Sequence, residues 1–329
     1  MKSYWMHSTP TATAQAGTLE LRDTPVPTPG DGQMLVRVHA AGLNRGEFIL
    51  GHGLTPKGGA PKAVGMEAAG VVLSCGSGVS GFKQGDRVMG RCPGAFAEFA
   101  LMEERETMAM PAELSWEVAA SVPLTFMVVY DMLIAQGQIK ADQWLLVAGV
   151  SSGVGVAALL TAKALGAKVI GTSGAAQKLA RLTDLGLDLA IESRAPDFAA
   201  RALEATQGKG VNLVVNAVGG SVFAECVRSM AFEGRLAMVG YVDGVLQGTV
   251  DIEALHAKRL TLFGVSNKLR TPLQRALHIP AFCDHILPLI GNGTIKPVVD
   301  RVFAFEQLPE AKAMMDANLH LGKIVLKGL

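Results

Sequence analysis

The sequence lacks the features of membrane-spanning, nucleic-acid-binding and secreted proteins. No apolar run reaches the roughly 18 residues that a helix needs to cross a bilayer. The formal net charge is only +1 at pH 7, which gives no reason to expect nucleic acid or an anionic membrane as a partner. Residues 1–17 are polar and contain no apolar core of a signal peptide. Together these absences predict a cytoplasmic protein.

Cysteine is scarce and glycine is abundant. The four cysteines are scattered and form no C-x-x-C pair, which favours reduced thiols over a disulfide framework. They are Cys75, Cys92, Cys226 and Cys283. The 38 glycines predict many tight turns between short elements. A chain of 329 residues predicts about two domains with a large buried core.

The stretch 144–172 predicts a dinucleotide site. Trp144 begins a short apolar run typical of a buried strand, and a turn of small residues follows it. An Ala/Leu-rich helix runs from Gly153 to Leu165 and is ended by Gly166, and a second strand begins at Lys168. Strand, turn, helix and strand form the βαβ unit in which a helix N-terminus binds a pyrophosphate.

The turn itself lacks two of the three glycines of the common G-x-G-x-x-G pattern. Val150 and Ser152 stand at the first two positions, and Gly155 remains for close packing of helix against strand. We predict phosphate contacts at Ser151, Ser152, Gly153 and Val154, with the Ser152 hydroxyl donating to a phosphate. The alternative is a turn of this kind that binds nothing.

The second strand lacks the acidic residue that would bind the ribose 2′-hydroxyl of NAD. Its end reads Gly171-Thr172-Ser173-Gly174. Hydroxyls at Thr172 and Ser173, with Lys178 and Arg194 nearby in the sequence, favour a 2′-phosphate instead. The alternative for Lys178 is a solvated helix residue. The sequence therefore predicts NADPH as the cofactor in preference to NADH.

The hydrophobic pattern predicts an α/β protein with two different halves. Strands at 33–40, 70–73, 86–89 and 95–100 predict a compact, barrel-like β domain before residue 120. Helices are predicted at 116–121, with Ser115 as N-cap, and at 125–136. Strands at 144–148, 168–172, 187–191, 211–217, 235–239 and 260–264 alternate with helices at 153–165, 175–185, 196–207, 221–231 and 251–257. This alternation predicts a doubly wound parallel sheet. A helix within 272–291, a strand at 298–305, a helix at 309–315 and a strand at 323–326 return the chain to the first domain.

Several motifs resemble the zinc-independent quinone oxidoreductases of the medium-chain dehydrogenase/reductase superfamily over nearly the whole chain. These motifs lie at 41–47, 65–72, 81–88, 123–130, 216–220, 234–236 and 322–326, in addition to the glycine-containing turn. The resemblance implies a GroES-like, mostly β catalytic domain over 1–122 and 268–329. It also implies a Rossmann NADP-binding domain over 123–267.

The same resemblance implies the absence of a catalytic metal. Zinc alcohol dehydrogenases carry their first ligand, a cysteine, where this chain has Asn44, and a histidine where it has Met66. An amide and a thioether are poor zinc ligands. Of the four cysteines that hold a structural zinc in those enzymes, only Cys92 is present. Without a Lewis acid, reduction of an electron-poor quinone or enone is favoured over alcohol oxidation.

The resemblance also implies further cofactor contacts. Asn44 and Thr125 would lie near the nicotinamide and its ribose, and Phe263 to Val265 would offer backbone groups to the carboxamide. Gly240 and Tyr241 would flank the cofactor, and Lys323 would approach from the C-terminal segment. The alternatives are a turn residue at Asn44, a helix-bonded hydroxyl at Thr125 and a rim residue at Tyr241.

No general acid is evident. Tyr130 and His52 are weak candidates, since Tyr130 lies in an apolar helix and fits a core tyrosine, and His52 fits a loop residue. Many relatives carry a tyrosine soon after the Asn44 loop, and this chain has none, so the acceptor pocket is expected to be reshaped around His52 or Leu54. Water is then the expected proton source.

Three functions remain open. The first is an NADPH-dependent, zinc-independent oxidoreductase of the EC 1.6.5 type that reduces quinones or α,β-unsaturated carbonyls. The second is an enoyl-thioester (enoyl-CoA) reductase, and the third is an NADPH-binding protein without turnover. The resemblance implies a homodimer formed by sheet extension near residues 260–265.

Overall fold

The computed structural model describes residues 1–7, 17–48 and 60–328. The chain divides into two compact units. The first contains residues 1–127, 267–292 and 297–329, and the second contains residues 128–266 and 293–296. In the described ranges no helix is both long enough and apolar enough to cross a membrane.

The first unit is mostly β before residue 110. Its strands up to that point are β1 (Lys2–His7), β2 (Thr18–Asp23), β3 (Gln33–Gly42), β4 (Lys62–Ala63), β5 (Glu67–Cys75), β6 (Arg87–Arg91), β7 (Phe99–Glu103) and β8 (Thr107–Ala109). Strands β2, β1 and β4 form a small antiparallel sheet. Strands β3, β5, β6 and β8 lie side by side in this order in a larger sheet, with β7 paired to β3. The core between them includes Met34, Val36, Phe96 and Met102, which are fully buried.

The second unit contains a parallel sheet. Its strands are β9 (Trp144–Ala148), β10 (Lys168–Ser173), β11 (Leu189–Glu192), β12 (Val211–Asn216), β13 (Met230–Met238) and β14 (Thr261–Gly264). The spatial order is β11-β10-β9-β12-β13-β14, and each neighbouring pair is parallel. The order reverses direction between β9 and β12, which is where doubly wound folds bind their ligands. The predicted α/β fold with a Rossmann-like sheet and a mostly β domain is confirmed.

The C-terminal segment completes the sheet of the first unit. Strands β15 (Val299–Ala304) and β16 (Lys323–Lys327) are parallel to each other, and β16 pairs antiparallel with β3. Val325 lies opposite Gly42 in that register, so Lys323 enters the sheet beside the loop that follows β3. This pairing brings together residues 40–42 and 325–327, which are far apart in the sequence.

The described residues also form α-helices. They are α1 (Trp116–Ala120), α2 (Pro123–Tyr130), α3 (Gly153–Ala164), α4 (Ala176–Asp184), α5 (Ala199–Ala205), α6 (Phe223–Arg228), α7 (Ile252–Ala257), α8 (Pro272–Ala276), α9 (Ile279–His285), α10 (Leu287–Gly291) and α11 (Leu308–Asp316). The predicted cap of α1 is confirmed, because the Ser115 side chain accepts from the backbone N–H of Val118.

Three predicted elements differ in position. The strand expected at 95–100 begins only at Phe99, because the backbone of Phe96 bonds instead to Tyr4 and Val64. The helix expected to continue to residue 136 changes at Asp131 into a π-helical turn. The helix expected at 221–231 ends at Arg228, because Met230 is drawn into a strand paired with Val211. Strands β1 and β2 were not predicted.

Candidate functional site

Polar and small residues of the second unit gather at the carboxyl ends of its strands. The turn after β9, the hydroxyls that end β10 and the loops after β11, β13 and β14 all lie on this edge, because the six strands are parallel. The predicted cofactor residues on this edge are Ser151, Ser152, Gly153, Val154, Thr172, Ser173, Arg194, Gly240, Tyr241, Phe263 and Val265. The fold therefore brings together residues that lie more than a hundred positions apart in the sequence.

The turn after β9 presents a helix N-terminus. Gly149 has a φ of +85°, a left-handed conformation that favours glycine. A Cβ on Gly155 would lie 2.6 Å from the Gly149 carbonyl oxygen, so the predicted close packing at Gly155 is present. The first intrahelical bond of α3 runs from Val156 N–H to the Ser152 carbonyl at 2.8 Å. The earlier N–H groups of Gly153 and Val154 therefore face outward and fit a pyrophosphate.

Ser152 has a different role from the one the sequence indicated. Its Oγ accepts from the N–H of Gly155 at 3.0 Å and donates to the carbonyl of Gly149 at 2.9 Å. The single hydroxyl hydrogen is thus used inside the turn, so Ser152 is the N-cap of α3 and does not donate to a phosphate. This role is consistent with its residue type, since serine is a preferred N-cap.

The two hydroxyls at the end of β10 also differ from each other. Both side chains are buried, but the Oγ1 of Thr172 accepts from the N–H of Gly149 at 3.3 Å, so Thr172 holds the turn in place. Ser173 Oγ lies 3.1 Å from Ser151 Oγ and connects the turn to the strand end. Of the two predicted hydroxyls, Ser173 is therefore the better placed for a ligand at the strand end.

Arg194 lies across the end of β10. Its Nη2 donates to the Gly174 carbonyl at 3.2 Å, and a Cβ on Gly174 would collide with the Arg194 side chain. Lys178 is half-buried near the start of α4. Glu192 pairs with Ser173 in the strand register, but it is exposed and belongs to β11. An exposed guanidinium beside a strand that ends without a carboxylate fits a phosphate group.

Asn216 is the last residue of β12, the strand next to β9 where the strand order reverses. Its hydrogen bonds hold the loop that follows β12. This side chain is fully buried, accepts from the N–H groups of Val218 and Gly219, and donates to the Gly219 carbonyl. The Asn216 carbonyl accepts from the N–H of Gly240 at 3.4 Å, which places Gly240 at this edge. Tyr241 follows with an exposed side chain.

The end of β14 is anchored by its neighbours. The backbone N–H of Val265 donates to Met238 at 3.3 Å, and Phe263 pairs with Ala237 in the strand register. Gln136 Nε2 also donates to the Gly264 carbonyl at 3.4 Å. The backbone at residues 263–265 is thereby held in an extended conformation at the sheet edge.

The first unit contains a buried polar cluster that we call the Asn44 cluster. It consists of Asn44, Glu47, Glu67 and Lys323. Lys323 Nζ donates to Glu67 Oε1 at 2.6 Å, to Asn44 Oδ1 at 2.8 Å and to the Leu43 carbonyl at 2.9 Å. The second oxygen of Glu67 accepts from the N–H of Leu124, one residue before Thr125, at 2.8 Å. This carboxylate therefore connects β5, β16, the loop after β3 and the first turn of α2.

The cluster changes the interpretation of Lys323. The sequence placed Lys323 among the cofactor contacts, but an ammonium has three N–H groups and all three are donated within the cluster. We therefore assign Lys323 to the cluster. Sequence analysis also missed Glu47 and Glu67, although two acidic residues flanked by small and apolar residues were a visible signal of buried carboxylates.

The remaining candidates have different surroundings. Thr125 is buried in the first turn of α2. Tyr130 ends the same helix with an almost fully buried side chain, and burial raises the pKa of its hydroxyl, as expected for a core tyrosine. His52 and Leu54 lie outside the described residues.

Burial raises the pKa of Glu47 to about 8, the largest contribution being removal of the carboxyl group from water. The nearby carboxylate of Glu67 adds to this effect, whereas the Asn44 amide and the Lys323 ammonium oppose it. Glu47 therefore carries a proton at neutral pH. The folded chain holds this proton between about pH 4.5 and pH 8, where an unfolded chain releases it.

This difference predicts a pH-dependent effect of Glu47→Gln on stability. The stability that comes from Glu47 is fully present below about pH 4.5 and is lost as the pH rises through about 8. Wild-type protein should therefore lose on the order of a few kcal/mol relative to Glu47→Gln between pH 5 and pH 9. Urea unfolding at pH 5, 7 and 9 measures this, with the exposed Glu113→Gln as control. Parallel pH curves for wild type and Glu47→Gln would contradict it.

Two family models match the chain. The model described as "Alcohol dehydrogenase GroES-like domain" matches residues 30–112, and the model described as "Zinc-binding dehydrogenase" matches residues 153–279. The first match lies within the mostly β unit, and the second begins at the N-terminus of α3 and includes the parallel sheet from β10 onward.

Two kinds of curated relatives were found. Rat quinone oxidoreductase is 27% identical over 310 residues, which cover 92% of each chain. A phenolphthiocerol/phthiocerol polyketide synthase protein of Mycobacterium tuberculosis is 30% identical over 299 residues. The match covers 91% of this chain but only 14% of that much longer protein.

Solved structures are similar over the whole length. A mycobacterial protein complexed with NADPH superposes with a TM-score of 0.85 and 28% identity, covering 100% of both chains. An NAD-dependent alcohol dehydrogenase has a TM-score of 0.85 and 30% identity, also covering 100% of both chains. The CurK enoyl reductase has a TM-score of 0.81 and 25% identity, covering 94% of this chain and 95% of that one.

One of the two family models has zinc in its name. We therefore examine whether the side chains at positions 44 and 66 could serve as zinc ligands. Both N–H groups of Asn44 are donated to Glu47 and Glu67, and its oxygen accepts from an ammonium 2.8 Å away. The adjacent candidate, Met66, offers a thioether. Among the described residues, no group of three or more His, Cys, Asp or Glu side chains is arranged to hold a metal. A donor set that already surrounds an ammonium does not fit a zinc ion.

Proposed function

The chain belongs to the quinone oxidoreductase-like family of the medium-chain dehydrogenase/reductase superfamily, and on this premise we propose that it is an NADPH-dependent reductase of quinones or α,β-unsaturated carbonyls that needs no zinc. The observation that carries the proposal is the end of β10, where Ser173 and Arg194 stand and no carboxylate occurs between Thr172 and Lys178. This arrangement suits a 2′-phosphate. The superposition on a mycobacterial protein complexed with NADPH supports it.

Under this proposal, each backbone group and side chain of the site has a defined role. The N–H groups of Gly153 and Val154 bind the pyrophosphate, and Ser173, Lys178 and Arg194 bind the 2′-phosphate. Backbone groups of Phe263 and Val265 bind the carboxamide, and Gly240 and Tyr241 flank the cofactor. For Asn44 and Thr125, the proposed role near the nicotinamide ribose rests on the family resemblance alone. When bound, NADPH supplies a hydride to the acceptor.

The Asn44 cluster supports the proposed zinc independence. The cation at this place is the Lys323 ammonium, paired with Glu67, so no Lewis acid lowers the pKa of an alcohol. Acceptors that are already electron-poor need no such activation. Because Tyr130 is buried, we propose that water supplies the proton that completes the reduction.

The runner-up is reduction of an enoyl thioester. It is favoured by the similarity to the CurK enoyl reductase and to part of a polyketide synthase. An NADPH-binding protein without turnover is the third candidate. Both remain alternatives, because all three functions require NADPH to bind at the carboxyl ends of the parallel strands.

A steady-state assay separates these functions. We expect 9,10-phenanthrenequinone or an enone to be reduced with NADPH, with a kcat/KM at least about tenfold above that with NADH, because an Arg–phosphate bond is worth roughly 1.5–3 kcal/mol. Treatment with EDTA should leave the rate unchanged. Preference for crotonyl-CoA would favour the runner-up, and tight NADPH binding without turnover of any acceptor would favour the third candidate. Failure to bind NADPH would contradict all three.

We also propose a homodimer formed through β14. This strand is the edge of the parallel sheet, and its residues Leu262 and Phe263 are only partly buried. An unpaired edge can extend a sheet across a twofold axis. Light scattering at micromolar concentration should give twice the 34.4 kDa chain mass, and Leu262→Pro should give the monomer. A wild-type monomer would contradict the proposal.

A further inference from the structure

The parallel sheet of the second unit has two halves that meet where the strand order reverses. Strands β9, β10 and β11 lie on one side of the reversal, and β12, β13 and β14 lie on the other. A dinucleotide bound at such a point spans both halves, with one mononucleotide over each. Under the proposed function, Ser173 and Arg194 place the adenosine half over the first three strands. The nicotinamide half then faces the loops that follow β12 and β13.

Asp243 connects these two loops. It lies in the loop after β13, and its Oδ2 accepts from the N–H of Ser221 at 3.0 Å and from the hydroxyl of Ser221 at 2.5 Å. Its Oδ1 accepts from the N–H of Val245 at 2.9 Å, and its own N–H donates to the Val218 carbonyl at 3.0 Å. The N–H of Gly220 also donates to the Val245 carbonyl at 2.9 Å. Hydrogen bonds of side chain and backbone therefore join the loops across about 20 positions of sequence.

Two glycines permit this close approach. Gly219 has a φ of +136° and a ψ of −155°, a conformation that is almost confined to glycine. A Cβ on Gly219 would lie 1.9 Å from Asp243 Oδ1, and a Cβ on Gly220 would lie 2.2 Å from the Gln247 carbonyl oxygen. The buried Asn216 holds Gly219 from the end of β12. The loop after β12 is thus fixed by β12 on one side and by Asp243 on the other.

The Asp243 carboxylate is ionised at neutral pH. Partial burial opposes its ionisation, but the hydrogen bonds from Ser221 and Val245 outweigh this effect and lower the pKa of Asp243. Hydrogen bonds to an ionised carboxylate are stronger than those between neutral groups. Because the residue is exposed, each bond competes with water, so its removal should have a moderate effect.

We propose that Asp243 is a positioning residue that holds the loops after β12 and β13 together as the wall of the nucleotide site that faces the nicotinamide half of NADPH. This inference rests on the proposed function. It goes further by assigning the residue that fixes these loops to each other. Asp243 acts through the backbone of residues 218–221 and requires no contact of its own with the cofactor.

A fragment of the cofactor tests this role, because 2′,5′-ADP contains the adenosine half with its 2′-phosphate and no nicotinamide. We expect Asp243→Ala to raise the Kd for NADPH about fivefold and to change the Kd for 2′,5′-ADP by less than about 1.5-fold. Isothermal titration calorimetry measures both values. A purely structural role would weaken both ligands alike or neither of them. Either of these results would overturn the proposal.

A double-mutant cycle with Ser221 guards against misfolding of the first variant. Ser221→Ala removes one of the bonds to Asp243 and should raise the Kd for NADPH about twofold, with no further effect in the Asp243→Ala background. Losses that add up in the double variant would overturn the proposal. Asp251→Asn is the matched control, since it removes the same charge from the same loop and keeps the N-cap of α7. A loss for NADPH alone in this control would show a general charge effect and would also overturn the proposal.

The binding measurements separate this inference from the proposed function. If wild type binds NADPH but reduces no acceptor, the proposed function fails, and the comparison of the two ligands still decides the role of Asp243. Arg194→Ala should weaken both ligands about tenfold, because both carry the 2′-phosphate. Unchanged binding of 2′,5′-ADP in this variant would place the adenosine half elsewhere and overturn the inference. A wild-type protein that binds no NADPH overturns both.

Discussion

Lys323→Met is expected to destabilise the first unit by about 3–5 kcal/mol, because it leaves the carboxylate of Glu67 buried without its cation. The pair is 2.6 Å apart, and the side chains are 6% and 0% exposed. Methionine matches the lysine stem in size, so little of the loss comes from packing. The unfolding midpoint in urea, followed by the fluorescence of Trp5 and Trp116 in this unit, measures the effect.

A double variant is the control for this prediction. Adding Glu67→Gln to Lys323→Met removes the unpaired charge and should restore most of the lost stability. Trp144 lies in the second unit and lets the unfolding of that unit be followed when the other tryptophans are replaced. A loss below about 1 kcal/mol in Lys323→Met would show that the ion pair contributes no more than a solvent-exposed one.

Ser173→Asp is expected to reverse the cofactor preference from NADPH to NADH, by about 100-fold or more in the ratio of kcat/KM values. A carboxylate at the end of β10 accepts from the ribose 2′-hydroxyl of NADH and repels a 2′-phosphate. Loss of one charge-assisted bond and gain of a repulsion together amount to roughly 3 kcal/mol. Steady-state kinetics with both cofactors and one quinone measure the ratio.

Two further variants make this result interpretable. Arg194→Ala should weaken NADPH alone by about tenfold, because NADH has no phosphate at this place. Ala180→Glu adds a negative charge on the exposed part of α4 and should leave the ratio unchanged. An unchanged ratio in Ser173→Asp would show that the adenosine ribose lies elsewhere.

Local sequence patterns predicted the parallel sheet well. Its strands are short apolar runs ended by glycine or polar residues, and burial on both faces imposes this pattern on each strand separately. The N-cap at Ser115 and the close approach at Gly155 were likewise readable, since each depends on residues within six positions. The predictions failed where a partner far along the chain decides the conformation, as at Phe96 and Met230.

The roles of single residues at the carboxyl ends of the parallel strands were also not predictable from local sequence. The sequence identified Thr172, Ser173 and Ser152 by residue type, but only the structure separated their tasks. Thr172 and Ser152 hold the turn, whereas Ser173 stands at the strand end. A hydroxyl can donate, accept or cap with similar ease, so its surroundings choose among these roles.

The sequence by itself determined the fold class, the nucleotide-binding turn and the absence of an acid at the end of β10, because each of these is written in consecutive residues. Only the tertiary structure decided the Asn44 cluster. Lys323 meets Glu67 across 256 positions and Asn44 across 279, through the pairing of β16 with β3. The orientation of these side chains depends on the polar partners that surround them in a buried place, and only the folded chain brings those partners together.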